Sequence, residues 1–422
     1  MSSFSIALSG LTAASTDLDV TANNIANADT VGFKSSRAEF ADLFANGASN
    51  PNQSVTGEGV ELATNAQQFT QGDITTTASS LDLAISGDGF FTLKDPSNGI
   101  VYTRNGQFQE DANGNVVSTN GAALQVYPPL ATGGFNTGAL TDLNLQTSQS
   151  APQPTTTGTV ILNLPANSTA PTAGAFNPTE SATYNQSTST TVYDSLGNAY
   201  PATLYFVATA NPDVWSVYTT VNGVNVSASP STTQLTFNDT GQLVSSTNGA
   251  VTSTNGNLVF NYPTGGGNLP DGAAPLSMSL NFSKTTAYGG TFGVTSIIQN
   301  GYATGQLSSV AIDATGIVSA VYTNGRSTQL GQLAMSNFPN AQGLQQLGNN
   351  QWAASFDSGD VVQGTAGTAS FGSIQSGALE SSNVDLTTEL VNMITAQRAF
   401  DANAQVVTTA NQESQTIVNI GH

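Results

Sequence analysis

Few residues in this chain could do chemistry. There is one histidine, His422, and no cysteine. His422 is the final residue, and chain ends are usually mobile, so imidazole catalysis or ligation is not expected from it. Without thiols, disulfide staples, thiolate zinc sites and Cys nucleophiles are excluded. Carboxylates remain. Asp82, Asp88, Asp194 and Asp239 fall at predicted strand edges and turns, where aspartate is common for structural reasons alone. A glycosidase pair needs two carboxyls roughly 5–10 Å apart in a cleft, and no spacing here calls for one. Gly87-Asp88-Gly89-Phe90-Phe91 lacks the Lys-Ser/Thr of a phosphate-binding loop and leads into no helix. It reads as a turn into a buried strand. No enzyme is expected, and no catalytic, cofactor or metal residue is assigned.

One motif recurs: an apolar residue, Asp, spacers, Gly, then an apolar residue. It appears as Phe108…Asp111-Ala-Asn-Gly114-Asn-Val116, Phe237-Asn-Asp239-Thr-Gly241-Gln-Leu243 and Ile312-Asp313-Ala-Thr-Gly316-Ile317. A calcium loop needs Asp or Asn at positions 1, 3 and 5, Gly at 6 and Glu at 12, and no copy fits. The expectation is a strand–turn–strand in which Asp binds the turn's backbone and Gly takes positive φ.

Charge narrows the partners. The net charge is −20, with seven Lys and Arg: Lys34, Arg37, Lys94, Arg104, Lys284, Arg326 and Arg398. None lies between Asn105 and Ser283. A nucleic-acid partner needs a basic stripe to neutralise phosphates, and anionic lipid needs a basic cluster. Neither is present. Only 8% of residues are charged, against about a quarter in ordinary domains. Gly, Ser, Thr, Asn and Gln supply the polarity, and such a surface repels its own copies weakly. No apolar run approaches about 18 residues, so no membrane-spanning helix is expected. Residues 1–16 lack the basic start and apolar run of a cleavable secretory signal.

The elements that position these residues follow from periodicity. Phe4, Leu8, Leu11, Ser15, Leu18, Ala22 and Ile25 recur at alternating spacings of four and three. Leu390, Met393, Gln397, Phe400, Ala404, Val407, Asn411, Ser414 and Val418 do the same. That is the a/d seam of a coiled coil. A narrow apolar stripe on a lone helix has nothing to bury it. The two stripes can meet each other or their copies on neighbouring molecules, which suggests a subunit that assembles. The first helix is expected over 3–28, with Thr30, Gly32 and Phe33 at its exit and positive φ at Gly32. Residues 34–44 read as a short second helix or an extended arm, and 46–60 as loop.

From about residue 70 the period is two. Leu81, Leu83 and Ile85 alternate with polar or small residues, and Val160-Leu162-Leu164, Leu204-Phe206 and Leu276-Met278-Leu280-Phe282 predict strands. Ten Asn-Gly dipeptides, among them Asn105-Gly106, Asn222-Gly223, Asn255-Gly256 and Asn324-Gly325, signal hairpins. The expected class is mainly β with terminal α-helices, in a discontinuous multi-domain subunit. Residues 1–33 and 384–422 would form a helical coiled-coil core. Residues 34–71 and 373–383 would link it to a first β-domain, 72–149 with 285–372. Residues 150–284, free of cations until Lys284 at their end, would be an inserted outer β-domain.

Asn23, Asn24 and Asn27 sit beside the first seam. Asn is a poor helix former. Two readings stay open: fraying toward the helix end, or side-chain amides bonded to neighbouring chains, fixing register as buried polar residues do in coiled coils.

Leu8-Ser-Gly-Leu-Thr-Ala-Ala…Leu18-Asp-Val-Thr-Ala-Asn-Asn-Ile-Ala-Asn-Ala-Asp-Thr-Val-Gly-Phe-Lys34 resembles the N-terminal signature of bacterial flagellar rod and hook proteins. Ser382-Asn-Val-Asp-Leu…Leu390-Val-Asn-Met-Ile-Thr-Ala-Gln-Arg-Ala-Phe-Asp-Ala-Asn-Ala-Gln405 resembles their C-terminal signature. Asp88-Gly-Phe-Phe…Tyr102-Thr-Arg-Asn-Gly-Gln-Phe108 is similar to the block opening their first β-domain. Length and two β-domains are most similar to the hook members; distal rod and hook–filament junction proteins are the alternatives within the family. The resemblance implies a helical tubular homopolymer, a torque-transmitting universal joint, with terminal helices inside and β-domains outside. Phe4, Leu8, Leu11, Leu18, Asn23, Asn24, Ile25, Asn27, Leu390, Met393, Phe400, Val407 and Val418 would carry assembly. It also implies unfolded export through the flagellar type III apparatus to the extracellular flagellum. The implied partners are the distal rod protein, the hook cap and the hook–filament junction proteins. A surface adhesin is the rival from another class, and exposed aromatic platforms at Trp215, Tyr218 or Trp352 would favour it.

Overall fold

The computed structural model describes residues 2–43, 57–145, 149–225, 233–248, 251–262, 273–368 and 370–420. Two helices bracket a chain of short strands. Helix α1 spans Ser2–Ala26, ending two residues short of expectation. Helix α2 spans Leu386–Ile420, and the two pack against each other. Ser36–Leu43 (β1) pairs antiparallel with Gly59–Gln67 (β2), from Ser36 opposite Gln67 to Leu43 opposite Gly59. The described part of 34–44 is therefore an extended arm and not a helix, because the ladder takes up the backbone of Ser36–Leu43; Phe44 lies outside the described residues. Most of the expected 46–60 loop lies outside the described residues, and Gly59 and Val60 already belong to β2.

The chain divides into two compact units: residues 1–147 with 309–321 and 327–422, and residues 148–308 with 322–326. In the first, Phe90–Asp95 pairs with Gly99–Thr103 and with Ala123–Tyr127, and the sheet extends through Ser327–Leu333 on one side and Gln351–Ala353 on the other. Phe90, Phe91, Thr92 and Leu93 are all buried. Phe91 and Leu93 join the larger apolar cluster; Phe90 joins a smaller one with Tyr102, Phe338, Leu344 and Trp352. Thr92 stays dry by bonding Ser336 hydroxyl to hydroxyl at 2.8 Å. Leu83, Ala84 and Ile85 are buried alike, so the alternation expected there is absent: both faces of that strand are covered.

The second unit has a seven-stranded sheet running from Gln186–Tyr193 through Ala199–Ala208 and Val214–Val221 to Val251–Ser253. Its four-stranded sheet contains Thr157–Asn163 and Leu276–Asn281, which pair in parallel. Period-two residues from both sheets form one core: Val160, Leu162, Leu164, Leu204, Phe206, Leu276, Met278, Leu280 and Phe282 are all within it.

The Asp–Gly motif is a backbone-binding turn. Asp111 Oδ1 accepts from the Asn113 and Asn115 amides, both at 2.8 Å. Asp313 accepts from Thr315 and Ile317. In the middle copy the acceptor is Asn238, one residue before the expected Asp239, bonding Thr240 and Gln242. A fourth copy, unmarked at sequence level, is Asp194, bonding Leu196 and Asn198. Each has Gly three residues on with φ between 74° and 85°. The Asn-Gly pairs are less uniform. Asn222-Gly223 has positive φ at both residues, as a type I′ turn requires. Asn105-Gly106 is no hairpin: the Gly106 carbonyl accepts from the Leu83 amide at 3.0 Å, and a Cβ on Gly106 would strike the Leu83 backbone.

Candidate functional site

The residues singled out at the two ends meet on one platform: α1, α2, the β1–β2 hairpin and the segment before α2. Helix α2 starts at a cap. The Thr388 amide bonds Asp385 Oδ1 at 2.8 Å, and this hydrogen bonding holds the Asp385 carboxyl below its ordinary range. Glu389 in the first turn suits the positive end of the helix dipole.

The face that α1 turns toward α2 is not the apolar stripe. Ala7, Ala14, Thr21 and Asn24 are buried, and they recur at helical spacing with Gly10 and Asp17 between them. A Cβ on Gly10 would sit 2.9 Å from Asn403 Oδ1, so the helices touch where the side chain is missing. Small residues let two backbones approach; Leu would hold them apart. The apolar stripe lies one position round the helix. Phe4 and Leu8 are 42% and 49% exposed. Ala22 is exposed, while Leu11, Leu18 and Ile25 are half-buried. On α2, Met393, Phe400 and Val407 are half-buried in register with buried Ala396, whereas Leu390 is exposed beside Leu386, Val391 and Ile394. The side chains of Ser414 and Val418 are outside the described set, as is His422.

The asparagines divide. Asn24 is 1% exposed, and its amide clamps the backbone of Ser36, donating to the carbonyl at 2.8 Å and accepting from the N–H at 2.9 Å. It also reaches Glu389 of α2 at 3.4 Å. Asn24 thus works within its own chain, tying the end of α1 to β1 and α2. Asn23 is exposed, and Asn27 donates back to the Asn23 carbonyl at 2.9 Å, closing the helix end. Thr30 bonds Asn27, and Gly32, φ +69°, makes a later turn against Arg104 and Asn105. Phe33 is half-buried just before Lys34.

Beneath this exit lies a buried charge cluster. Lys34 Nζ is 2.6 Å from Glu380 Oε1 and donates to the Thr70 carbonyl at 2.7 Å. Arg104 Nη1 is 3.4 Å from Glu380 Oε2. The Lys34 and Glu380 side chains are fully buried, and Arg104 nearly so. Glu380 also accepts from the Gly72 amide at 3.0 Å, and its own carbonyl accepts from Gly32 at 2.8 Å. Arg104 lies over the Phe90 ring. Burial pulls the Lys34 pKa down against the opposing pull of Glu380. One carboxylate therefore binds two cations and stitches three distant segments together. Asn383 adds a fourth tie, accepting from the Ser35 amide at 2.8 Å and donating to the Gln68 carbonyl at 2.7 Å. Lys34 and Arg104 lie inside the recognised signatures, and a cation amid apolar residues signals a missing carboxylate. Nothing in the sequence marks Glu380 as that carboxylate among 27 acidic residues.

Trp215, Tyr218 and Trp352 are 1%, 7% and 2% exposed. The aromatic platforms that would have favoured an adhesin are core residues. Among the described residues no helix is long and apolar enough to cross a membrane.

Comparison with known proteins settles the family. Residues 4–34 match the flagella basal body rod protein family and 375–420 the flagellar basal body rod FlgEFG C-terminal family. Residues 84–166 match the flagellar hook protein FlgE/F/G D1 domain, and 163–302 the flagellar basal body protein FlaE D2 domain. The flagellar hook protein FlgE of Escherichia coli K12 is 41% identical over 99% of both chains. The chain belongs to the flagellar hook protein family. The FlgE of Rhizobium meliloti is 33% identical over 98% of this chain and 97% of its own. The crystal structure of Helicobacter pylori FlgE2 shares the fold with a TM-score of 0.52 at 14% identity, covering 73% of this chain and all of that one. The hook family is structural and non-enzymatic, and the chain is a subunit of a homopolymer in the extracellular flagellum.

Proposed function

We propose that the subunit builds a flexible tube that transmits torque between rod and filament, and that its exposed seam is the contact between copies. The observation that carries this is the division of labour on α1. Its small face, Ala7-Gly10-Ala14-Thr21-Asn24, is used within the chain, while Phe4 and Leu8 are exposed on a helix that gains nothing from exposing them, and Leu11 and Leu18 of the same stripe are only half-covered. Leu386, Leu390 and Ile394 repeat the pattern on α2. Neighbouring copies are the natural cover for both stripes. The outer β-surfaces, polar but poor in charge, would slide past each other with small energy differences and let the tube bend. With this goes the division into a helical core (1–33, 384–422), a linker region (34–71, 373–383), a first β-domain (72–149, 285–372) and an inserted one (150–284). We further assign export through the flagellar type III apparatus, and contacts with the distal rod protein, the hook cap and the hook–filament junction proteins; family membership supports these.

Electron microscopy of purified chain under polymerising conditions tests the seam. Leu8→Asp, at an exposed position, should leave the melting of the monomer unchanged and abolish tubes. Ordinary tubes from Leu8→Asp would defeat the assignment.

A further inference from the structure

Phe356 is 100% exposed, and no other large apolar residue in the described chain exceeds the 66% of Ile298. Single exposed hydrophobes are ordinary; one held out on a locked loop is not. The loop lies in the first unit, between Gln351–Ala353 and Val362–Gly364. The Ser355 amide donates to Ser358 Oγ at 3.0 Å, and Ser358 Oγ donates to the Ser355 carbonyl at 2.8 Å. The Asp357 amide donates to Ser355 Oγ at 3.1 Å, and Ser355 Oγ donates to the Gly343 carbonyl. Asn340 Nδ2 donates to the Asp357 carbonyl at 2.8 Å. The loop backbone lies so close to Gly343 that a Cβ there would sit 2.3 Å from Asp357 C. Ser358 is fully buried, and Val361 packs on the aromatic cluster of Phe338, Leu344 and Trp352. The backbone is thus fixed on both sides of a ring that touches nothing.

We propose that Phe356 is a pre-formed knob that seats in a second copy of this chain. This rests on the homopolymer reading and adds to it a contact on the β-body, carried by a loop and not by the helices. The occupant follows from the family, in which every subunit is surrounded by copies of itself, and from charge. Asp357 and Asp360, both exposed, follow Phe356 on the same loop. Two knobs facing each other would bring four carboxylates together on a chain already at −20. The knob therefore enters a different face of its neighbour. Such a head-to-tail contact can repeat from copy to copy, and where the rotation between copies does not close a ring it propagates into a helix. Because the loop is already ordered, seating it loses little conformational entropy.

The chain has no cysteine, so Phe356→Cys places a sole thiol at the knob. With full-length protein, maleimide should label Cys at 356 at the rate of a free thiol in monomers and at least tenfold more slowly in tubes. Phe356→Ser should melt like the parent and need roughly tenfold more protein to polymerise, a loss of about 1.4 kcal/mol per contact; Phe356→Leu should restore most of the difference. A folded Phe356→Cys chain that makes no tubes also supports the knob. Equal labelling in monomer and tube, or a parent-like threshold for Phe356→Ser, overturns the knob and leaves the hook reading standing. Parent chain that forms no tubes under any condition overturns both.

Discussion

The terminal platform and the second unit solve the burial problem in opposite ways. In the second unit, two sheets turn their alternate residues inward, and large side chains such as Phe206, Trp215 and Phe282 vanish into one apolar core. That unit is finished by its own sequence. The platform packs its helices through Ala, Gly, Thr and Asn, leaves Phe4, Leu8 and Leu390 outside, and places three charges where water does not reach. All the ion pairs among the described residues lie in the first unit. If neighbouring copies complete this surface, as proposed, it cannot spend its apolar residues on itself. It has to hold its shape by small-residue contact and polar ties, which specify geometry well and add little net stability.

The contrast can be broken at its strongest point first. Glu380→Leu leaves Lys34 and Arg104 buried without a counter-charge, and should destabilise the first unit by about 3–5 kcal/mol. Calorimetry should show that transition falling while the transition of the second unit stays. Replacing Lys34, Arg104 and Glu380 together by Met should recover much of the loss, since the charges are expensive to desolvate. Phe206→Ala should do the reverse: a loss of about 3–5 kcal/mol, confined to the second unit, with polymerisation retained if folding is still complete. Ala14→Leu tests the close approach of the helices. It should cost about 1–3 kcal/mol through overpacking, read as lost helical circular dichroism before any change in the β-signal. Ala14→Leu that leaves helicity intact would refute the small-residue face.

The smallest effect is electrostatic. Desolvation raises the Asp17 pKa above its ordinary 3.8. A carboxyl whose folded pKa is raised is penalised in the folded state once it ionises, so its contribution is most favourable in acid and worsens as pH rises through the carboxylate range. Asp17→Asn should therefore stabilise the helix pair near neutrality by less than about 1 kcal/mol, since much of Asp17 is solvent-screened. The gain should vanish well below pH 3.8, where both states bind the proton. Urea midpoints measured at intervals from acid to neutral pH would show it.

How much of this was legible in the residues depends on which signal each region uses. Period two located the strands of the second unit, since hydropathy drives their burial directly. The spacing of four and three located both helices and, on α2, Met393, Phe400 and Val407 of the packed face. On α1 it found a stripe that the chain leaves exposed at Phe4 and Leu8 and half-buried at Leu11, Leu18 and Ile25. The buried stripe, Ala7-Gly10-Ala14-Thr21-Asn24, reads as surface because close packing of small and polar residues, such as Gly10 against the Asn403 side chain, has no hydropathy signature. The Asp–Gly turn was legible as chemistry, but its register was not: Asn238 replaces Asp239 because Gly must stand three residues after the acceptor. The same rule, applied evenly, marks Asp194. The cluster of Lys34, Arg104 and Glu380 was not read from the residues: its members are far apart in sequence, and only three-dimensional proximity joins them.

Glu380 also sets an order of events. Lys34 and Arg104 come early in the chain, and their shared counter-charge comes near its end. A product cut short before position 380 has two cations to bury and nothing to neutralise them, so its N-terminal arm stays undocked. Closure of this junction therefore waits on residues near the end of the polypeptide.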